Sequence, residues 1–314
     1  MAKISVGMFT YNRPNTLKRA ATSILNQTFK DLELVLVNNG STIPKVTDIC
    51  KDIAESDCRV KYLEVYPNNI TEAYKTILQN STGEFYTQMD DDDYCESDIL
   101  EFLYELASEY NADISMCGSY RVINGKAIER FAFDEIIVMD KVQALDEFLK
   151  RQICSTAVWS KLFKREKVIA NTGWAAHAKQ GDADTVYKWF SNADKVVAHG
   201  IPKYYQVRTE SDDLYGYVGK HNLTPELLDN YLEIFRDRTN YLSQKVPKIK
   251  ERVRYSEWSF MISMYDKIYS YGLSNFDKQI KFIKNELKFH FEEFCNGPFI
   301  QEFEKEFMVR YINK

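Results

Sequence analysis

Hydrophobic and polar positions alternate between two periods over the first hundred residues. Short runs rich in β-branched and aromatic residues cover residues 4–9, 32–37, 60–65 and 84–89, and such runs are typical of largely buried strands. Between them, apolar residues recur at helical spacing over residues 17–25, 46–54 and 70–79. The repeated order of strand, polar loop and helix predicts an α/β fold, with a mostly parallel sheet flanked by helices.

Each of the four predicted strands ends in a polar loop, at residues 10–13, 38–41, 67–69 and 90–93. The carboxyl ends of parallel strands meet at one edge of a sheet, where open α/β sheets bind their ligands. We therefore expect the four loops to converge. Their side chains are able to hydrogen-bond a base, a ribose and a diphosphate.

The fourth loop carries four consecutive carboxylates, Asp90 to Asp93. Four like charges cannot be buried unpaired, so they face water or are neutralised by a cation. Asp90 with Asp92, and Asp91 with Asp93, offer pairs of oxygen donors that suit Mg²⁺ or Mn²⁺ bridging to a diphosphate. The alternative is a solvated acidic turn before the helix predicted from about Ser97.

Two glycine-rich phosphate cradles are missing from the sequence. No GxGxxG follows the first strand, and no GxxxxGK[ST] occurs anywhere. Their absence counts against a dinucleotide dehydrogenase and against a P-loop phosphotransferase.

The α/β pattern continues to about residue 210 and then gives way to a helical one. A helix over residues 98–108, a strand over 112–119 and a strand from 204 continue the α/β order, but from about residue 224 the periodicity is helical. Pro247, Gly272 and Gly297-Pro298 divide this part into about four helices, whose aromatic residues suit core packing. We predict an α/β domain over residues 1–215 that binds its ligand at this loop edge, and an α-helical region over 216–314 that packs, oligomerises or holds a substrate.

Composition narrows the range of partners and compartments. The chain has 314 residues and a net charge of -5, so no broad basic excess favours a nucleic-acid partner. Its six cysteines have no CxxC spacing and only four histidines accompany them, which argues for free thiols in a reducing cytosol. No apolar run of roughly 18 or more residues suggests a membrane span. Peripheral association with the inner face of the cell membrane stays open.

Several short phrases together resemble the metal-dependent family 2 glycosyltransferases of the A-fold (GT-A), of the bacterial surface-glycan type. The likeness is close over roughly the first hundred residues and looser to about residue 210. The phrases are Phe9-Thr10-Tyr11-Asn12, Ser23-Ile24-Leu25-Asn26-Gln27-Thr28, Asn38-Asn39-Gly40-Ser41, Pro67-Asn68-Asn69, Gly83-Glu84-Phe85 and the acidic run.

The resemblance implies that the domain over residues 1–215 binds a nucleotide sugar and is catalytic, and that the region over 216–314 is free to hold the acceptor. It also implies roles for residues at the nucleotide. Asp90 or Asp91 would hold the ribose, and Asp92 would bind the metal. Asn39 stands where relatives usually have aspartate, and its amide can pair with uracil or with cytosine. Lys75 lies near a basic position that touches the nucleotide in relatives, or is a solvated helix lysine. The residues predicted around the nucleotide are Thr10, Tyr11, Asn12, Arg13, Asn39, Asn68, Lys75, Asp90, Asp91 and Arg208.

The resemblance also implies roles at the sugar. Trp159, Trp174 and Asp93 are the predicted sugar contacts, although an indole in such a run also suits the core. Asp182 matches the aspartate that takes the proton from the acceptor hydroxyl, with Asp184 as the neighbour that would help to raise its pKa. The alternative role of Asp182 is an ordinary helix cap.

The closing strand departs from the family pattern. Arg208 stands at the position where relatives have a metal-binding histidine. A guanidinium does not bind a metal but forms forked bonds to phosphate, so Arg208 is predicted to contact the diphosphate. His199 or His221 are the alternatives for the metal.

The implied activity is inverting transfer of a sugar from a nucleotide-diphosphate sugar, UDP-linked by resemblance, to a hydroxyl of a glycan or lipid-linked acceptor, with Mn²⁺ or Mg²⁺. Two rivals stay open. One is a sugar nucleotidyltransferase, which usually carries a glycine-rich basic loop that is absent here. The other is a catalytically silent nucleotide-sugar-binding or scaffold protein, which the departures at Asn39 and Arg208 would favour.

Overall fold

The computed structural model describes residues 2–169, 181–208 and 222–313. The chain divides into two compact units, Met1–Thr209 and Glu210–Lys314. The boundary predicted at residue 215 lies outside the described residues.

The first unit begins with the expected alternation of strands and helices. The helices of this part are α1 (Leu17–Leu25), α2 (Pro44–Ser56) and α3 (Ile70–Asn80). The strands are β1 (Ile4–Thr10), β2 (Leu32–Asn39), β3 (Val60–Val65) and β4 (Phe85–Gln88). They lie side by side in the order β3-β2-β1-β4, and all three pairings are parallel, which confirms the prediction for this half of the sheet.

Alternate residues of β1 place helices on both faces of the sheet. Val6 and Met8 belong to an apolar cluster with residues of α1 and α2. On the opposite face, the ring of Phe9 lies edge-on to Tyr74 of α3, with ring centroids 4.9 Å apart. A Cβ added to Gly7 would meet the Ile77 side chain of α3 at 2.5 Å, so this close strand-to-helix approach requires glycine.

The second half of the sheet is mixed rather than parallel. Its helices are α4 (Ile99–Glu109), α5 (Lys141–Lys150), α6 (Arg165–Val168) and α7 (Val186–Asn192). Its strands are β5 (Tyr94–Cys95), β6 (Ile114–Ile123), β7 (Lys126–Arg130), β8 (Ile136–Asp140), β9 (Lys161–Lys164) and β10 (Lys195–Arg208). The order continues β4-β9-β6-β10-β5, in which only β6 and β10 pair in parallel.

The second unit is helical, as predicted. Its helices are α8 (Pro225–Lys245), α9 (Lys250–Ser270), α10 (Asp277–Phe289), α11 (Phe291–Cys295) and α12 (Glu302–Phe307). The described part therefore has one α-helix more than the expected four, because His290 alone separates α10 from α11. Aromatic side chains such as Trp258 and Phe294 belong to its core. Among the described helices, none is both long enough and apolar enough for a membrane span.

Candidate nucleotide-sugar site

The loops after β1 and β2 are joined by the side chain of Asn12. Its Oδ1 accepts from the backbone amides of Thr42, at 2.8 Å, and Ile43, at 3.1 Å, and its backbone amide donates to Ser41. Asn12 has φ of 55°, a left-handed conformation that asparagine tolerates better than most residues. The Asn12 side chain therefore fixes the first loop against the second.

The loops after β2 and β3 meet at Asn39. Its Nδ2 donates to Oδ1 of Asn68, at 2.8 Å, and its Oδ1 accepts from the amide of Asn69, also at 2.8 Å. Gly40 follows with φ of +71°, and a Cβ there would lie 2.6 Å from the backbone nitrogen of Asn68. The sequence Asn-Gly is thus required for this close approach of the two loops.

Arg13 connects the first loop to the loop after β4, residues 90–93, which we term the acidic loop. Its Nη1 lies 2.9 Å from Oδ1 of Asp91 and also contacts Oδ2 of Asp92. Thr10 is fully buried, and its hydroxyl partly offsets the rise that burial causes in the pKa of Asp91. All four predicted loops therefore converge at the carboxyl edge of the parallel strands.

The acidic loop brings three carboxylates together. One carboxylate oxygen from each of Asp90, Asp92 and Asp93 lies within 4.8 Å of the other two. These are hard oxygen donors, which Mn²⁺ and Mg²⁺ prefer. Asp91 turns away toward Arg13 and is 5% exposed. The loop is therefore not the wholly solvated acidic turn of the alternative reading.

Two residues of β10 hold Asp93 in place. The hydroxyl of Tyr204 donates to Oδ2 of Asp93, at 2.7 Å, and the backbone amide of Val207 donates to Oδ1, at 2.8 Å. Tyr204 also accepts a bond from the amide of Asp90. The next residue, Arg208, ends β10 and its charge lowers the pKa of Asp93. The closing strand therefore lies against the acidic loop.

Burial and mutual repulsion favour protonated carboxyl groups in this loop. Burial, followed by the charge of Asp92, raises the pKa of Asp93 to about 7. Burial raises the pKa of Asp91 to about 6, although Arg13 opposes the shift. The pKa of Asp90 is also well above its usual range, because its half-buried carboxyl group is desolvated and faces Asp93 and Asp182. A bound cation would relieve this repulsion.

Asp182 lies on the short turn Gly181–Asp184, and two donors hold its carboxylate. The backbone amide of Val158 donates to Oδ2, at 3.1 Å, and the hydroxyl of Tyr74 donates to Oδ1, at 3.4 Å. Burial raises the pKa of Asp182 to about 6, and these donors and the charge of Lys161 limit the rise. We expected Asp184 to help raise this pKa, but the largest cause of the rise is burial. The charge of Asp182 in turn raises the pKa of Asp90, which places the two carboxylates near each other.

Other predicted contacts have different surroundings. Trp159 is 6% exposed and stacks on Tyr204, with ring centroids 4.7 Å apart, so its indole belongs to the core. Lys75 pairs with Glu72 of its own helix, at 2.9 Å, and Tyr11 is 39% exposed at the rim of the first loop. Trp174 lies outside the described residues.

The two histidine alternatives also receive different outcomes. The ring of His199 packs against Phe102, and the carboxylate triad of the described residues includes no histidine. His221 lies outside the described residues.

Sequence reasoning missed three residues that support the site, namely Tyr74, Lys161 and Tyr204. Tyr74 also accepts a bond from Gln88 at 2.9 Å, and Lys161 is fully buried. Tyr74 and Tyr204 bond to residues more than 100 positions away in the sequence, so local patterns carry no sign of their roles. For Lys161, the available signal was a lysine directly before the apolar pair Leu162-Phe163.

Comparison with known proteins identifies the first unit. The family model described as "Glycosyl transferase family 2" matches residues 5–168, which are 164 of the 314 residues. The chain is 32% identical over 173 residues to glycosyltransferase GlyA of Streptococcus pneumoniae, covering 52% of this chain and 24% of that protein. It is 34% identical over 116 residues to a GalNAc(5)-diNAcBac-PP-undecaprenol beta-1,3-glucosyltransferase of Campylobacter jejuni, covering 36% and 37%. The chain thus spans well under half the length of these two relatives.

Solved structures resemble the fold of this chain. Residues 1–349 of S. aureus TarS in complex with UDP-GlcNAc superpose with a TM-score of 0.69 at 18% identity, covering 97% of this chain and 83% of that one. A mannosyltransferase, PcManGT from Pyrobaculum calidifontis, in complex with GDP-Man and Mn²⁺, gives a TM-score of 0.52 at 12% identity, covering 99% and 85%. These likenesses confirm the predicted GT-A fold class.

Proposed function

Because the chain belongs to glycosyl transferase family 2, we propose that it transfers a sugar from a nucleoside-diphosphate sugar to a hydroxyl of a glycan or lipid-linked acceptor, with inversion at the anomeric carbon. One observation carries the proposal. The carboxylates of Asp90, Asp92 and Asp93 converge at the edge where the loops after β1, β2 and β3 also meet. Support for a nucleotide-sugar donor comes from the folds solved with UDP-GlcNAc and GDP-Man.

The proposed metal site consists of Asp90, Asp92 and Asp93. Their hard oxygen donors fit a Mn²⁺ or Mg²⁺ ion, as do the raised pKa values of Asp90 and Asp93, and the ion would supply charge neutralisation at the leaving diphosphate. Tyr204 and Val207 orient Asp93 toward this role by satisfying both of its oxygens. Arg208, at the end of the same strand, is the proposed contact of the diphosphate.

The proposed site for the nucleobase lies between the loops after β1, β2 and β3. Asn39, Asn68, Thr10, Tyr11 and Arg13 are the residues proposed to line it. The Asn12 side chain is engaged with residues 42 and 43, so its contribution is to hold the loops together. UDP is the favoured nucleotide because the fold with a TM-score of 0.69 was solved with UDP-GlcNAc. Asp90 or Asp91 is the proposed ribose contact.

Asp182 is the proposed catalytic base. Its carboxylate takes the proton of the acceptor hydroxyl as that oxygen forms a bond to the anomeric carbon. The bond from the anomeric carbon to the diphosphate breaks at the same time, and its electron pair leaves on the diphosphate. With a pKa of about 6, Asp182 is ionised at neutral pH and still accepts a proton readily. No covalent enzyme intermediate is needed.

Nucleotide binding tests the metal site directly. UDP should bind in isothermal titration with Mn²⁺ present, and binding should be lost with EDTA or in Asp92→Ala. Asp48→Ala removes an exposed carboxylate of α2 and serves as the matched control, with unchanged binding expected. Equal UDP affinity with and without Mn²⁺ would contradict the metal site.

Turnover separates the proposal from its two rivals. A panel of UDP-, GDP- and CDP-linked sugars is incubated with enzyme and Mn²⁺, and release of the free nucleoside diphosphate is measured. Slow release is expected for at least one donor, since a transferase leaks donor to water, whereas a silent binding protein releases none. Pyrophosphate formation from a nucleoside triphosphate and a sugar 1-phosphate would instead identify a nucleotidyltransferase.

A further inference from the structure

Lys161 is an unusual residue for its position. It begins β9 and its side chain is fully buried. Its ammonium group lies 3.2 Å from Oγ of Ser155, 2.8 Å from the carbonyl oxygen of Ala157 and 3.4 Å from that of Trp159. Three donors thus meet three acceptors, all in the segment just before the strand, which we term the 155–159 loop. A buried charge is expensive, so its retention calls for a specific use.

The 155–159 loop connects Lys161 to Asp182. Val158 lies between the two residues whose carbonyl groups accept from Lys161, and its own amide donates to Oδ2 of Asp182 at 3.1 Å. Bonds to the flanking carbonyls fix the orientation of the peptide units around Val158. The direction of the Val158 amide, and through it the Asp182 carboxylate, therefore depends on the ammonium group.

We propose that Lys161 is a positioning residue for Asp182: its buried ammonium holds the 155–159 loop so that the Val158 amide fixes the carboxylate toward the acceptor. Lys161 itself touches no reacting atom. This inference rests on the proposed role of Asp182 as the base.

The charges around Asp182 support the same arrangement. Lys161 of β9 lowers the pKa of Asp182, as do the bonds from Val158 and from Tyr74 of α3. Two further groups face Asp182, namely Asp90 of the acidic loop and Tyr86 of β4, and the charge of Asp182 raises the pKa of each. Removal of the ammonium therefore removes an influence that keeps Asp182 ionised.

The test substitutes Lys161→Met, which keeps the length and burial of the side chain but removes its charge and its donors. Lys164→Met, on the same strand, is the matched control. With the best donor of the panel, kcat should fall by about 10- to 100-fold in Lys161→Met, since a small displacement of a reacting group has this effect. KM for the donor and the UDP affinity with Mn²⁺ should stay within about twofold of the wild-type values, because the proposed metal site and nucleobase site are untouched.

Two further readouts separate positioning from general stability. The acidic limb of the pH–kcat profile should move to higher pH by about one unit in Lys161→Met, as expected when an opposite charge is removed. Peptides covering the 155–159 loop should exchange amide hydrogens faster, while the control leaves them unchanged. Ser155→Ala, which removes one acceptor and keeps the lysine, should give smaller changes in the same directions and serves if Lys161→Met does not fold.

The possible failures are distinguishable. If the wild-type enzyme is active and Lys161→Met keeps its kcat, acidic limb and loop exchange, the positioning role is overturned and the proposed function stays intact. Ser155→Ala takes the place of Lys161→Met in this test if that variant does not fold. A wild-type enzyme without turnover on any donor would contradict the proposed function. Unchanged exchange of the 155–159 loop would then still refute the contacts assigned to Lys161.

Discussion

A cluster of three carboxylates and one separate carboxylate lie at the same edge of the sheet and differ in what surrounds them. In the acidic loop, Asp90, Asp92 and Asp93 face one another, and their charges add to burial in raising the pKa values of Asp90 and Asp93. Asp182 stands on a separate turn with a hydroxyl, a backbone amide and a buried ammonium near it. The first group is suited to a positive ion, and the second to a single proton. Similar side chains thus acquire different chemistry from their neighbours.

Asp182→Asn should have the largest effect. Asparagine keeps an oxygen for the Val158 amide but accepts no proton, so kcat should fall by about 10²- to 10⁴-fold. In the wild type, activity should fall below a pH of about 6, where Asp182 becomes protonated. UDP affinity with Mn²⁺, measured by titration calorimetry, should be unchanged. Wild-type turnover in this variant would remove Asp182 from the role of base.

Tyr204→Phe should act on the acidic loop alone. The ring keeps its stacking on Trp159, but Asp93 loses a donor that lowers its pKa, so protons compete better with the metal. The Mn²⁺ concentration at half-maximal activity should rise by about 10-fold, as for other residues that orient metal ligands. At saturating Mn²⁺ the acidic limb should match that of the wild type. A shift of this limb without any change in Mn²⁺ dependence would break the comparison.

Tyr74→Phe should produce the reverse pattern and a smaller effect. The hydroxyl donates to Asp182 over 3.4 Å, a long bond, and lowers its pKa. Its loss should reduce kcat by about 2- to 5-fold, in keeping with a net hydrogen-bond contribution of about 0.5 to 1 kcal/mol. The acidic limb should move to higher pH, with the same Mn²⁺ requirement. Steady-state kinetics between pH 5 and 8 test both expectations. An altered Mn²⁺ dependence in this variant would argue against two separate sites.

Thermal unfolding should show the smallest effect. The raised pKa values of Asp91 and Asp93, about 6 and about 7, favour their protonated forms in the folded protein. Their contribution to stability is complete below the unfolded-state pKa of about 4 and is lost as pH rises through about 6 to 7. Mn²⁺ should therefore raise Tm more at pH 8 than at pH 5. Each kcal/mol of binding free energy corresponds to a rise in Tm of about 2–4 °C. An equal rise at both pH values would contradict the assignment.

Sequence patterns were sufficient for the part of the site that consecutive βα units build. Strands with local periodicity led to four loops, and parallel pairing alone places those loops together. The contact between Arg13 and Asp91 and that between Asn39 and Asn68 follow from this topology. Here a simple physical rule connects local pattern to the three-dimensional site.

The rest depends on pairings that local patterns do not encode. Tyr204 reaches Asp93 because β10 lies between β6 and β5, an arrangement that reverses strand direction within the sheet. The side chain of Trp159 stacks on Tyr204 for the same reason, which explains why an indole predicted at the sugar is in the core. Lys161 and Tyr74 gain their importance only through Asp182, which lies in another segment of the chain.

The paired amides of Asn39 and Asn68 have a consequence for how base preference could be re-engineered. Aspartate at position 39, as relatives usually have, would still accept from the amide of Asn69, but its second oxygen would oppose Oδ1 of Asn68. Rotation of the Asn68 carboxamide by half a turn would convert that repulsion into attraction. Under the proposed function, selectivity between pyrimidines becomes a joint property of two neighbouring side chains, and exchanging one of them reverses the polarity of the other.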